Sequence, residues 1–192
     1  MAVRLVGFSR QRLTAVRAAL ALIWCRLARP PGPIPGDLQE FLQSILSGVR
    51  PEVTIVYGGA DGVCAVPFAR TAGYRILVCE RGLIPRTHLP ALLFHELIHV
   101  ARGQELDAEA FESAWFSQAE GARLPTWDDW EIFKREAYQG WWVRLDPRSR
   151  RVTDYADRLV VTFPPPARRR SARRERRPSW PSPRERNRRS SA

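Results

Sequence analysis

Lysine is nearly missing from this chain: of 31 basic residues only Lys134 is a lysine, and the only methionine is Met1. Cysteine is scarce too. Cys25, Cys64 and Cys79 are an odd number with no CxxC pair, which argues against a disulfide framework and fits a reducing compartment. Cys64 and Cys79 lie in apolar runs and read as small buried residues, with a bridge between them across neighbouring strands as the alternative. No apolar run approaches the roughly 18 residues of a membrane span. The nearest candidate, AALALIWC after Arg17, is short even for the core of a signal peptide, and Trp24 and Arg26 occupy its cleavage zone. A cytoplasmic protein is expected, with a secreted or delivered effector as the alternative.

Apolar residues make up 44% of the chain, with seven Trp and eight Phe, enough for a core. The net charge of +11 is unevenly spread. Residues 164–192 hold eleven Arg and two Glu, or +9, which leaves +2 for residues 1–163. The division that follows is one domain over 1–163 and a disordered Arg/Pro/Ser-rich tail over 164–192, too poor in apolar residues to fold. Such a tail can engage nucleic acid or an acidic surface by phosphate neutralisation, and its Trp180 can stack on a base.

Leu13, Val16, Leu20, Ile23, Trp24 and Leu27 recur at helical spacing, so an amphipathic helix is expected over about 9–28. PPGPIP (30–35) ends it, and a second helix runs from an Asp37 cap to about Leu46, stopped by Gly48 and Pro51. VTIVY (53–57), VCAVPF (63–68) and YRILVC (74–79) are rich in β-branched and aromatic residues between glycine turns, the pattern of a three-stranded antiparallel meander. A third helix is expected through RTHLPALLFHELIHVARG, capped at Thr87 and stopped at Gly103. Others follow over about 105–119 and from Asp128 or Asp129 to about Arg144, then one short strand within 155–163.

The third helix contains HELIH. Positions i and i+4 share a helix face, so His95 and His99 can offer two imidazoles to one ion. Zinc favours such nitrogen donors, and a catalytic zinc keeps one position for water. Glu96, beside the first ligand, can take that water's proton as general base. Two of the chain's three histidines stand at this spacing, on a stripe distinct from the apolar Leu93, Phe94, Leu97, Ile98 and Val100.

On this motif the sequence resembles the zincin metallopeptidases, in which a strand and the HExxH helix frame the cleft. The resemblance implies a small α+β zincin-like domain with a short antiparallel sheet before the HExxH helix. It also implies Zn2+ as cofactor and a peptide or protein as substrate. Metzincins place Gly three residues after the second His and His or Asp six after it. Here those positions are Arg102 and Glu105, and no methionine is available for a Met-turn, which counts against that branch. In gluzincin-like families the third ligand is a Glu on a following helix. QELDAEAFE (104–112) supplies Glu105 first and Glu109 next, with Asp107 and Glu112 behind. Its Glu105-Leu-Asp107-Ala108-x-x-Phe111 run is similar to the ExEAxxF segment of ImmA/IrrE-type peptidases, although the interval from His99 is shorter than is usual there.

Several residues carry weaker expectations. His88 shares the stripe of His95 and could donate a hydrogen bond to a transition state, as could Tyr138 or Tyr155; surface or packing roles are the plainer readings. Trp127, Trp130, Trp141 and Trp142 suggest an aromatic core lid. The strand at 74–79 could pair with an extended substrate, as zincin edge strands do. The function expected is zinc-dependent peptide hydrolysis, with His95, His99 and Glu105 on the metal and Glu96 activating water. The alternative is a nucleic-acid-associated protein with a structural or vestigial zinc site and a basic binding tail.

Overall fold

A strand opens the chain and a capped helix answers it. The computed structural model describes residues 3–49, 52–59, 68–83, 88–116 and 140–163. Strand β1 (Val3–Val6) ends at Gly7, whose φ of +83° suits glycine. The Ser9 hydroxyl then accepts from the Arg12 amide and starts α1 (Arg10–Ala28). Val16, Ala19, Leu20, Ile23 and Leu27 form its buried stripe, close to the helix expected over 9–28. Helix α2 (Gly36–Ser47) buries Leu38, Leu42, Ile45 and Leu46 and stops at a left-handed Gly48. Asp37 lies in its first turn; Pro35 holds the cap position. Side chains of Gln39 and Gln43 reach back to the Leu27 carbonyl and finish the end of α1.

The antiparallel meander suggested over 53–79 does not form. Strand β2 (Val53–Tyr57) pairs in parallel both with β1 and with β4 (Arg75–Val78). The antiparallel partner of β4 is β3 (Ala69–Ala72), joined to it by a hairpin with Gly73 at φ +58°. That tight turn seats β3 on one edge of β4 and leaves the other edge for β2. The resulting order is β1-β2-β4-β3. Residues 63–67 of the expected middle strand lie outside the described residues, as does Cys64. Cys79 is disulfide-bonded while Cys25 is free, a correction to the expectation of reduced thiols. An odd count excludes complete pairing but not one bridge.

A one-turn helix α3 (Glu80–Leu83) leads toward α4 (Leu89–Val100) and α5 (Glu105–Trp115). Helix α4 packs against β3, α1 and α5, and Val53, Ile55, Ile76 and Val78 of the sheet are buried in one core with Phe94 and Phe111. Phe94 stacks on Trp115 with centroids 4.5 Å apart. A second, antiparallel sheet follows: β5 (Val143–Asp146), β6 (Arg151–Asp154) and β7 (Leu159–Thr162). The described residues are therefore α+β, with five helices and two small sheets. Among them no helix is long and apolar enough to cross a membrane. The expected Arg-rich tail and its Trp180 lie outside them.

The last helix expected, to about Arg144, falls mostly outside the described residues, but its end is overturned. Residues 141–142 bend and β5 begins at Val143. The cause is Asp107, fully buried on α5. Its carboxylate accepts from the amides of Trp141 (2.5 Å), Trp142 (2.8 Å) and Val143 (3.2 Å), which a helix would have used internally. It also accepts from the Gln104 amide at 2.9 Å, half of a capping box that starts α5. Gly140 is required beside it, because a Cβ there would overlap the carboxylate. The single strand expected within 155–163 is present as β7, the second arm of a hairpin with β6. Asp154 accepts from the amides of Ala156 and Arg158 and makes residues 155–158 a turn.

Replacing Asp107 with Ala strands four backbone donors, Gln104 at the start of α5 and Trp141, Trp142 and Val143 at the approach to β5. Urea unfolding should register a loss of about 4 kcal/mol. A loss below about 1 kcal/mol would show that solvent replaces the carboxylate freely.

Candidate metal centre

Helix α4 carries Pro90 in its first turn and buries Leu93, Phe94, Leu97 and Ile98 completely. That apolar stripe fixes the roll of the helix and leaves His95 and His99 side by side at i and i+4. His88, not Thr87, holds the cap position; Thr87 lies outside the described residues. The C-terminus is a Schellman turn: the Gly103 amide donates to Ile98 O and the Arg102 amide to His99 O, both at 2.9 Å. The left-handed residue is Arg102, at φ +68°, where glycine is usual. Gly103 serves a different need, since a Cβ would collide with Ile98.

This turn reverses the chain so quickly that α5 begins at Glu105. Its carboxylate returns to both imidazoles: Glu105 Oε1 lies 3.4 Å from His95 Nε2, and Oε2 lies 3.2 Å from His99 Nε2. The two Nε2 atoms are 3.2 Å apart. Four-coordinate zinc with bonds of 2.0–2.1 Å has donor–donor edges of about 3.3 Å. The two nitrogens and the Glu105 carboxylate thus stand at about the spacing of zinc donors, one carboxylate oxygen against each imidazole. Among the described residues His95, His99 and Glu105 are the group that could hold a metal.

The other ring nitrogens are committed. His95 Nδ1 donates to Glu112 Oε2 at 2.9 Å, and His99 Nδ1 to the Gly103 carbonyl at 2.9 Å. Both hydrogen bonds favour the tautomer that turns an Nε2 lone pair toward the group. Burial increases inward across the group. The side chain of Glu105 is 39% exposed, His99 23%, His95 12% and Glu112 5%. Glu96 is buried, and its carboxylate accepts from the Thr71 hydroxyl at 2.6 Å.

The electrostatics favour a cation. Burial opposes protonation of His95, but hydrogen bonds to Glu105 and Glu112 outweigh it and push the pKa up to about 10. Burial also opposes protonation of His99, and Glu105 again turns the balance upward. In return His95, then His99, hold the Glu105 carboxyl well below the usual range. Two carboxylates therefore offset the desolvation of positive charge at the imidazoles, whether carried by a proton or by a metal.

Among the acids considered for the third donor, Glu105 alone joins the group. Asp107 is taken up by backbone amides, Glu109 is buried elsewhere on α5, and Glu112 supports His95 from behind. His88 sits against Phe68, and the Tyr155 hydroxyl donates to the Gly140 carbonyl, so neither belongs to the centre. Tyr138, Trp127 and Trp130 lie outside the described residues. Trp141 is 62% exposed and the Trp142 indole donates to Asp37, which does not make the helical lid expected of them. The strand at 74–79 is not an edge: β4 lies between β2 and β3, and β3 is the outer strand. Sequence reasoning does not find Thr71, which no motif marks, and it ranks Glu112 among the ligands when its spacing of seven from Glu105 already puts both on one helix face.

No family model, curated protein or solved structure matches this chain.

Glu112→Gln should weaken zinc binding by about 10- to 100-fold, the usual effect of removing a partner behind a ligating histidine. Competition with a chromophoric chelator measures it, and an unchanged affinity would remove Glu112 from the centre. Arg102→Gly relieves a left-handed side-chain residue and should raise stability by about 0.5–1 kcal/mol in urea unfolding, with zinc affinity unaltered.

Proposed function

We propose that this protein is a zinc-dependent peptide hydrolase of zincin type. The observation that carries the reading is the convergence of His95 Nε2, His99 Nε2 and the Glu105 carboxylate, whose two oxygens each approach one imidazole at 3.2–3.4 Å, with both Nδ1 atoms tied back. The donor set fits zinc, and its open side favours catalysis over a structural role. Structural zinc sites are closed by a fourth side chain, whereas three donors converge here among the described residues and Glu105 stays partly exposed.

His95, His99 and Glu105 would hold the ion. Zinc bound there would supply a coordinated water of near-neutral pKa and a Lewis acid for the scissile carbonyl. Glu96 would take the proton from the attacking water and deliver it to the departing amine. Glu112 and the Gly103 carbonyl keep the imidazoles in the ligating tautomer. An extended peptide would lie along β3, the outer strand, whose Thr71 touches Glu96. The local spacing has features of two branches. Arg102 is left-handed where metzincins have Gly, and Glu105 stands at their third-ligand position; yet a glutamate opening the next helix is the gluzincin-like choice.

The purified protein should carry about one zinc per chain, and His99→Ala should carry almost none. Glu96→Gln should retain the zinc while hydrolysis of an unfolded protein substrate falls by at least about 100-fold. Elemental analysis decides the first point; less than about one zinc per two chains overturns the metal reading. A zinc-loaded Glu96→Gln protein as active as the parent overturns the hydrolase reading.

A further inference from the structure

We propose that Thr71 is the positioning residue for Glu96, linking the general base to the outer strand of the sheet; the inference rests on the zinc-hydrolase reading above. Glu96 is 5% exposed, and a buried carboxylate needs a donor. The Thr71 hydroxyl stands 2.6 Å from Glu96 Oε2 and 3.1 Å from the Glu96 carbonyl. A hydroxyl has one proton, and the shorter approach to the charged oxygen claims it. Oε2 is then committed to Thr71, and Oε1 is left to accept the proton of the attacking water.

The hydroxyl is itself well held. Thr71 pairs with Ile76 in the β3–β4 ladder, so its backbone is fixed by register. Its branched Cβ restricts χ1. A glutamate side chain, by contrast, has much rotamer freedom to lose when it is ordered. A rigid strand residue gripping one oxygen removes that freedom before substrate arrives. The same strand has no neighbour on its outer side among the described residues. Thr71 therefore puts the general base and the edge that would receive a peptide on one rigid element.

Acetohydroxamic acid provides a probe that needs no known substrate. It chelates zinc through two oxygens and gives up its O–H proton, for which a carboxylate beside the metal is the acceptor. The measurement is its affinity for the zinc-loaded full chain, by calorimetry, for the parent, Thr71→Val, Thr71→Ala, Thr71→Ser and Glu96→Gln. Thr71→Val and Thr71→Ala should keep their zinc and bind the hydroxamate about tenfold more weakly. Thr71→Ser should match the parent, and Thr71→Val should add little to Glu96→Gln in the double variant. Three results overturn the proposal: Thr71→Val and Thr71→Ala binding as tightly as the parent, Thr71→Ser failing to rescue, or a zinc-loaded parent that ignores the hydroxamate. A parent chain without zinc would instead overturn the reading of the centre itself.

Discussion

The Schellman turn from Ile98 to Gly103 is the constraint on which the centre depends. It ends α4 one residue after His99, uses the His99 and Ile98 carbonyls as acceptors, and turns the Gly103 carbonyl onto His99 Nδ1. The same reversal starts α5 at Glu105 and so brings that candidate third donor to the imidazoles only six positions after the second histidine. A longer α4 would carry Glu105 away along the helix axis at about 1.5 Å per residue. The turn is stable enough to hold a non-glycine residue at positive φ, a conformation that costs an L-residue roughly 1–2 kcal/mol. What offsets that cost is the packing of α4 against α5, centred on Phe94, Trp115 and Phe111.

Three acids on α5 are sorted by position into separate tasks. Glu105, at the helix start, meets the imidazoles where solvent still reaches them. Asp107 points the other way and organises the backbone leading into β5. Glu112 lies seven residues after Glu105, two turns along the same face, and meets His95 from its buried side. Thus one helix supplies a candidate ligand, the support for another ligand, and the anchor of the second sheet. A substitution on α5 consequently tests stability and metal affinity together unless its face is considered first.

Much of this was legible in the residues. HELIH announces its own geometry because i and i+4 must share a helix face, and the apolar Leu93, Phe94, Leu97 and Ile98 say which face is buried. Glu105 was readable as the first candidate once Gly103 was seen to break the helix. The sheet was less legible. Val3–Val6 is four residues, too short for alternation to stand out, and β3 is Ala-Arg-Thr-Ala, with little β-propensity of its own. Parallel pairing of β2 with β4 has no local signal, because it depends on which edge the β3 hairpin occupies. The aromatic run near residue 141 favours a helix by periodicity, and a buried carboxylate 34 residues earlier overrides it. Local propensity yields where a charged acceptor must be satisfied in the core.

The arrangement of exposure across the centre carries the last step. His95, Glu96 and Glu112 are held on the buried side, each by a hydrogen bond to a residue fixed in regular structure. His99 and Glu105 occupy the open side, near the turn that joins the helices. A site closed all round would need its donors rigid everywhere, since nothing else would enter. A site that must admit water and a substrate carbonyl needs a rigid wall on one side and access on the other. The described residues have that asymmetry. The rigid wall includes the carboxylate that would move the proton, and the accessible side includes the carboxylate that would only hold the ion. Chemistry that depends on placing a proton acceptor to within a fraction of an ångström is better served by that division than by its reverse.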